Sequence, residues 1–464
     1  MSAITGRNNS RVDGDPALVD AQWLARRCEM GGRRGLAETM AALIRSGDLI
    51  PGARLPTVRE IARLMGCSQG TVATAWTSLR DKGFVETRRR GGTFVTGASD
   101  YDTELARPDK PALTWNLAST ASDPQFHPPL QDALLAGLSV PNLHSAQRQH
   151  VIDPLIAVVA PTWPFECEAW TTAGGASEGI VLAILAAAEA GGTIAVETPT
   201  NPRTVQILST LGMTVIPVRW DGDGPVVADL IAALENGAKA FLYQPRAHFP
   251  LAKRIASQRR DALAAVLRRH EDVVVIEDDG FGPLAGPDNI TLGDLLPTRV
   301  LLARAYCKAY GVDLRVSVLG GPARLIDRAR RHRSYGASVT SRILQGAIVA
   351  LIENRSVDSL VARARQHYAR RRKLMVEALS RNGFVVDSDE GFSIWLRVPD
   401  ATAALVRLNA QGIILAPGNG CTFGGDNEHL CLATARLPEV PRQIERLARQ
   451  IAEAARDHGA DEFG

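Results

Sequence analysis

The apolar positions of residues 35–82 recur every three or four residues, and this spacing predicts three consecutive amphipathic helices. Their apolar faces comprise Ala37, Met40, Ala41 and Ile44, then Val58, Ile61, Ala62 and Met65, then Val72, Ala75, Trp76 and Leu79. Gly47 ends the first helix, Thr57 precedes the second, and Ser68 is a natural N-cap for the third. A short hairpin follows between Gly83 and Val95. Helices joined by a tight turn and followed by such a hairpin form a winged helix-turn-helix.

The pattern changes after Leu113, where short Val-, Ile- and Leu-rich runs alternate with amphipathic helices. Continuous apolar runs bounded by turns are typical of strands buried on both faces, so an α/β fold with a mainly parallel sheet is predicted. The clearest predicted strands lie at 238–245, 272–280 and 298–306, and the long helices lie at 323–354 and 357–382. The remaining residues predict a small α+β subdomain that ends in a helix at 440–458.

Polar segments separate these regions. Pro108 and Pro111 lie in a stretch without an apolar period, which indicates a linker. The expected divisions are a tail with a short helix at 1–30, a winged helix at 31–96, a linker at 97–112 and a larger domain at 113–464.

Length and composition agree with this division. A chain of 464 residues is too long for one ordinary hydrophobic core, and 45% hydrophobic and 22% charged residues are usual for a globular protein. We expect a cytoplasmic protein, because no apolar run reaches the length of a membrane span and the N-terminus lacks a signal-peptide core. The six cysteines contain no CxxC pair, so neither a disulfide framework nor a metal site is indicated.

Positive charge is concentrated at the N-terminal end. Residues 1–96 contain 15 Lys and Arg against 9 Asp and Glu, an excess of six positive charges, whereas the whole chain carries +3. Arg88, Arg89 and Arg90 stand at the tip of the predicted wing, where guanidinium groups suit a phosphate backbone. The alternative is a basic face exposed only to solvent. Motif and charge together favour double-stranded DNA as the partner.

The segment from Ser46 to Val95, with LPTVRE and CSQGTVATAW, resembles the GntR-type winged helix. Residues 113–464 resemble a fold-type I, pyridoxal phosphate (PLP)-dependent aminotransferase. Together they resemble a MocR-type transcription regulator, in which these two domains are fused. The resemblance implies a homodimer that binds DNA and a small-molecule effector, with no membrane association. Two half-sites in the operator would follow.

For DNA, the resemblance implies contacts from the second and third helices and the wing. Gln69 is the best candidate for reading a base edge, because its amide can pair bidentately with adenine. Arginine is common in the family at Gln69 and Ala73, so guanine-centred recognition is not expected. The predicted contact residues are Arg54, Thr57, Arg59, Ser68, Gln69, Gly70, Thr71, Arg88, Arg89 and Arg90.

For the cofactor, the stretch ARAYCKAYGVDLR resembles the segment whose lysine forms a Schiff base with PLP. Lys308 matches that lysine, and Arg315 would contact the phosphate. Asp278 matches the aspartate that pairs with the pyridinium nitrogen, although Asp279 is an open alternative. The turn TTAGGASEGI resembles the phosphate-binding turn, in which Gly175, Ala176 and Ser177 would offer N–H groups and a hydroxyl.

Other positions depart from the aminotransferase pattern. Asn201 stands where an aromatic residue stacks on the cofactor ring, and Gly280 and Phe281 replace a tyrosine. His248 takes the place of a glutamine; it would either bond to the ring oxygen or pack within its loop. Cys431 matches the arginine that clamps an amino acid's carboxylate.

These losses predict a regulator without efficient transaminase activity, whose large domain senses PLP or a small amine or amino-acid-type effector through Lys308. Two alternatives remain. The domain has lost PLP and serves dimerisation or another ligand, or the chain is an active PLP-dependent aminotransferase.

Overall fold

The computed structural model describes residues 19–29, 36–45, 48–49, 53–81, 84–88, 92–96, 115–286 and 290–456. Residues 1–18 of the predicted tail, Gly47, the linker at 97–112 and the wing residues Arg89 and Arg90 lie outside these ranges. Among the helices of the described ranges, none combines the length and the apolar character that crossing a bilayer demands.

The N-terminal region forms the predicted winged helix. Its elements are α1 (Ala21–Glu29), α2 (Leu36–Arg45), α3 (Val58–Leu64), α4 (Gln69–Asp81), β1 (Val85–Arg88) and β2 (Gly92–Val95). Met40, Ile61 and Trp76 meet in one core, so the predicted apolar faces are confirmed. Leu24 and Cys28 of α1 belong to the same core. The two wing strands pair antiparallel, with Val85 opposite Val95.

A seven-stranded sheet forms the centre of the larger domain, in the order β4-β10-β9-β8-β7-β5-β6. The strands from β9 to β6 are parallel, and β10 runs antiparallel to both neighbours. They comprise β4 (Ala169–Ala173), β5 (Thr193–Thr198), β6 (Thr214–Arg219), β7 (Ala240–Tyr243), β8 (Val274–Asp279), β9 (Val300–Ala305) and β10 (Ser317–Gly321). Buried Val, Ile and Leu side chains fill both faces, as the continuous apolar runs predicted.

Helices cover this sheet and lead to a small C-terminal subdomain. Those around the sheet are α5 (Gln131–Leu138), α6 (Asp153–Val159), α7 (Ala176–Ala187), α8 (Pro202–Thr210), α9 (Val227–Glu235), α10 (Ser257–Leu267), α11 (Cys307–Tyr310), α12 (Ala323–Ser334) and α13 (Arg342–Glu353). The subdomain comprises β3 (Trp115–Asn116), α14 (Arg355–Arg381), β11 (Ser393–Arg397), α15 (Ala401–Ala410), β12 (Ile413–Ile414), β13 (Ala416–Pro417), β14 (His429–Ala433) and α16 (Pro441–Ala455).

One predicted helix is wrong. The apolar period across 323–354 suggested a single helix, but the structure divides it into α12 and α13. Ser338 takes a left-handed conformation with φ of 62°. Ser341 then caps α13, because its hydroxyl accepts a hydrogen bond from the Ile343 N–H at 3.3 Å. The break follows from this local capping, which interrupts a period that continues on both sides.

The carboxyl ends of the parallel strands place the chemistry of the domain. Parallel strands end at one edge of a sheet, and ligands bind at that edge in α/β proteins. Glu197 precedes the last residue of β5, Gln244 follows β7, and Asp278 and Asp279 end β8. Lys308 lies three residues after the end of β9.

A glycine at the contact between α5 and α13 allows the close packing of these two helices to be tested. A Cβ atom on Gly137 would lie 2.2 Å from the Ile343 carbonyl oxygen, so Gly137→Ala must push the two helices apart. We expect a loss of about 1–3 kcal/mol in the free energy of unfolding, measured by urea denaturation. Gly336→Ala is the control, since a Cβ there meets no atom within 4 Å. Equal stability of the two variants would contradict the packing.

Candidate functional site

Lys308 and Asp278 lie on neighbouring elements. Asp278 ends β8, which pairs with β9 so that Asp278 lies opposite Ala303, and Lys308 lies on α11 just beyond β9. The Lys308 Nζ is 5.7 Å from the centroid of the Phe281 ring. The positive charge of Lys308 lowers the pKa of the Asp278 carboxyl, whereas burial and two nearby carboxylates raise it.

Asp278 is a buried carboxylate without a hydrogen-bond donor among the described residues. Burial, and then the charges of Glu197 and Asp279, raise its pKa to about 7 despite Lys308. The preceding Glu277 is held differently, because it accepts hydrogen bonds from Tyr243 Oη, Thr291 Oγ1 and Leu292 N. A buried carboxylate of this kind fits a cationic partner such as a protonated ring nitrogen.

Asp279 points elsewhere and is neutralised. Its Oδ2 accepts hydrogen bonds from Arg246 Nη2 at 2.7 Å and from Arg304 Nε at 2.6 Å. Burial alone would raise the pKa of Asp279, but the two guanidinium groups hold it well below its usual range. Of the two aspartates left open by the sequence, Asp278 is therefore the one available to a ligand.

The turn before α7 and the Arg315 side chain form a cradle for an anion. Gly175 has φ of +95°, and its carbonyl accepts a hydrogen bond from Ser317 Oγ at 3.0 Å. A Cβ on Gly175 would lie 3.8 Å from Arg315 Nε, so the guanidinium stem borders the turn. Ala176 and Ser177 begin α7, whose N-terminal N–H groups favour a phosphate.

His248 lies in a buried polar cluster that sequence reasoning missed. Its Nε2 is 3.3 Å from Glu197 Oε1, and its ring centroid is 4.8 Å from that of Trp220. Glu197 also accepts hydrogen bonds from Trp220 Nε1 at 2.8 Å and from the Gln244 N–H at 2.8 Å. These contacts favour the interpretation in which the His248 side chain packs within its loop over the one in which it bonds to the ring oxygen of the cofactor. The clue in the sequence was polar residues ending successive strands.

The positions that depart from the aminotransferase pattern have other partners. Asn201 caps α8, because its Oδ1 accepts a hydrogen bond from the Arg203 N–H at 2.9 Å. Cys431 lies buried opposite Trp395 in the strand pairing of β11 and β14. The nearby Arg436 turns away and donates to the Ser122 carbonyl at 3.2 Å.

The residues of this edge fit PLP. The cradle suits its phosphate, Asp278 suits its ring nitrogen, and Lys308 lies on α11, close enough for its charge to act on Asp278. Phe249, Cys421 and Cys431 pack together in a buried apolar cluster. The edge therefore offers groups that suit the cofactor, whereas the Cys431 thiol cannot clamp an α-carboxylate as a guanidinium does.

The winged helix presents a polar face at the start of α4. Thr57 caps α3, and the exposed Arg59 lies on its first turn. The Ser68 hydroxyl accepts a hydrogen bond from the Thr71 N–H at 3.1 Å, and it lies 2.8 Å from the Thr71 hydroxyl. Gln69 and Gly70 are exposed beside them, so this end of α4 is accessible to a duplex.

Arg54 joins this face to the wing. Its backbone forms a bridge with Phe94, and its Nε lies 3.0 Å from the position of a Cβ on Gly92. Gly92 pairs with Arg88 across the hairpin; Arg88 is described here by its backbone alone.

Comparison with known proteins agrees with both parts. The family model for aminotransferase class I and II matches residues 135–450, and that for bacterial regulatory proteins of the gntR family matches residues 33–95. The chain is a winged-helix protein fused to an aminotransferase-type domain. It belongs to the aminotransferase class I and II family, and its gntR helix-turn-helix gives it the architecture of a MocR-type regulator.

Several similar proteins are named as regulators. PtsJ of Salmonella typhimurium, a vitamin B6 salvage pathway transcriptional repressor, is 26% identical over 88% of this chain and 95% of its own. The HTH-type transcriptional regulator TauR of Rhodobacter capsulatus is 27% identical over 88% and 94%. PdxR of Corynebacterium glutamicum, an HTH-type pyridoxine biosynthesis transcriptional regulator, is 25% identical over 74% and 78%.

Solved structures show the fold of the larger domain. Kynurenine aminotransferase from Pyrococcus horikoshii has a TM-score of 0.66 at 19% identity, covering 73% of this chain and 90% of its own. An archaeal alanine:glyoxylate aminotransferase has a TM-score of 0.65 at 18% identity, with the same coverage. The predicted fold-type I domain is confirmed.

The raised pKa of Asp278 predicts a pH dependence of stability. Its folded-state pKa of about 7 exceeds the ordinary 3.8, so the folded protein favours the protonated form. That contribution is complete below pH 3.8 and is lost as the pH rises through 7. Asp278→Asn stays neutral, so it should gain stability over the unmodified chain between pH 4 and 7, by on the order of 4 kcal/mol at most.

Urea denaturation in a series of buffers measures this difference without PLP. Glu277 titrates in both proteins, so its contribution cancels in the comparison. A stability difference that is the same at pH 4 and pH 7 would contradict the buried, unpaired state of Asp278.

Proposed function

We propose that this chain is a sequence-specific DNA-binding transcription regulator whose aminotransferase-type domain binds PLP and senses it or a small amine. The observation that carries the proposal is that one chain contains both an exposed helix start suited to DNA and a sheet edge suited to PLP. The start of α4 exposes Gln69 beside the capped Ser68, and the sheet edge brings the Asp278 carboxylate within the field of Lys308.

On DNA, the two exposed helices have separate tasks. The start of α4 would enter the major groove, where Gln69 reads a base edge and Ser68 and Thr71 contact phosphate. Arg59 and Arg54, on α3 and beside the wing, would hold the flanking backbone. We propose a homodimer with a winged helix at 31–96, tethered by the segment at 97–112 to the domain at 113–464.

At the sheet edge, Lys308 would hold the aldehyde of PLP covalently, while Arg315 and the start of α7 hold its phosphate. PLP supplies an electron sink that stabilises negative charge on a bound amine's carbon. Asp278 would keep the ring nitrogen protonated. Its raised pKa in the free protein fits this task, because a cation in that place stabilises the buried carboxylate.

Efficient transamination is not expected. The reaction needs an amino acid held in one orientation for proton transfer by the lysine, and Cys431 provides no bidentate clamp for its carboxylate. Asn201 caps α8 rather than offering a ring face. PtsJ and PdxR are named for vitamin B6 salvage and pyridoxine biosynthesis, which supports PLP itself as the sensed molecule.

Attachment of PLP tests the cofactor part of the proposal. We expect added PLP to give an absorbance band in the visible to near-ultraviolet range and, after borohydride reduction, a mass increase on the peptide containing Lys308. Lys308→Ala should lose both. Lys239→Ala, on the turn before β7, is the control and should keep both. A reduced adduct on Lys308→Ala of the same stoichiometry would overturn the assignment.

Binding to DNA from the chain's own upstream region tests the recognition face. Gln69→Ala should reduce the preference for that DNA over random DNA by about 1–3 kcal/mol. Arg59→Ala should weaken both and lower the salt slope by about one. Arg80→Ala, at the far end of α4, is the control. Fluorescence anisotropy at several salt concentrations measures these effects, and an unchanged preference in Gln69→Ala would contradict the placement.

A further inference from the structure

Helix α15 is buried on two opposite sides. Ala401, Ala404, Leu405 and Leu408 form one face, which belongs to the core of the small subdomain. Val406 is only 1% exposed yet does not belong to that core, and Thr402, one turn before it, is also 1% exposed. Helix α2 of the winged helix packs against α15.

Polar contacts close the end of this interface. Arg27 Nη1 of α1 lies 3.3 Å from Asp400 Oδ2. Asp48 Oδ2, beyond α2, is 2.6 Å from the Thr402 hydroxyl. Asn427 Oδ1 is 2.7 Å from the same hydroxyl, whose single proton the two acceptors share.

Asp400 serves the helix and the interface at once. Its Oδ1 accepts hydrogen bonds from the Ala403 N–H at 2.9 Å and from Asn427 Nδ2 at 3.1 Å, which caps α15. Its other oxygen faces Arg27. Burial would raise the pKa of Asp400, but these hydrogen bonds and the Arg27 charge lower it, so the carboxylate is charged near neutral pH.

Asn427 connects this interface to the ligand side of the large domain. The adjacent Asp426 Oδ2 lies 2.8 Å from His429 Nδ1, and the His429 ring stacks on Trp395 at 4.8 Å between centroids. Trp395 lies opposite Cys431, the position of the missing carboxylate clamp. Asp426 thus contacts His429, which stacks on Trp395, whereas the next residue, Asn427, contacts Thr402 at the interface with the winged helix.

We propose that the Thr402–Val406 face of α15, with Asp400 and Asn427 at its end, is a docking surface for the winged helix. Through residues 426–427, this docking surface transmits a structural change at the ligand-binding edge of the large domain to the winged helix. The docking itself rests on the contacts above; the transmission rests on the proposed function.

Hydrogen exchange of the full chain tests the docking without PLP or DNA. Asp400→Asn combined with Thr402→Val keeps an oxygen for the cap but removes the Arg27 ion pair and both bonds of the Thr402 hydroxyl, to Asp48 and to Asn427. Val406→Asp places a charge in the apolar contact. We expect faster exchange in peptides from 36–45 in both variants and unchanged exchange in β8. Exchange at 36–45 that matches the unmodified chain in both variants would overturn the docking.

DNA affinity with and without PLP tests the transmission. In the unmodified chain PLP should change the Kd by about 5-fold or more. In the Asp400→Asn, Thr402→Val variant the two Kd values should agree within about 2-fold, while PLP still attaches to Lys308. Arg397→Ala is the control, because Arg397 forms an exposed ion pair with Glu428 at 2.9 Å beside this interface.

The outcomes separate the two proposals. A PLP response that survives intact in the double variant overturns the transmission and supports sensing. An unmodified chain without a PLP response, whose variants still exchange faster at 36–45, contradicts sensing by PLP and supports the docking.

Discussion

The buried ion cluster of Asp279 with Arg246 and Arg304 fixes the sheet edge on which the site depends. It ties the end of β8 to the loop after β7 and to β9, and Arg304 also reaches the Thr162 carbonyl at 2.9 Å. Breaking a buried pair by removing one partner costs several kcal/mol, since a charge then remains unpaired. With Asp279 fully occupied, Asp278 is left as the carboxylate that can receive a ligand.

The sequence predicted most of the fold because its signals are local. Thr57 and Ser68 mark helix starts, and the strands around Asp278 and Lys308 are continuous apolar runs. The break between α12 and α13 was missed because the apolar period resumes in phase after it. At the site, Lys308 and Arg315 were predicted from one short stretch that resembles a family motif, and Asp278 from the end of a predicted strand. Polar residues at successive strand ends hinted at the Glu197 cluster, but its contacts depend on how the ends of β5, β6 and β7 align in space.

The residues of the candidate site divide into those suited to binding the cofactor and those at positions that would serve catalysis. Groups suited to a phosphate and a ring nitrogen, on strand ends and at the start of α7, would act on any ligand with PLP's shape. The positions that resemble the ring-stacking aromatic residue and the carboxylate clamp instead hold a helix cap at Asn201 and a buried thiol at Cys431. A binding protein needs the first set, whereas an enzyme needs both.

The double burial of α15 has a consequence for exchanging parts between proteins. Thr402 and Val406 of α15 are buried, and α2 of the winged helix packs against this helix. A chimera that takes its small subdomain from another protein would change this contact unless α2 changes with it. Domain exchanges between such proteins should therefore transfer α15 and α2 together, so that the contact between these two helices is preserved.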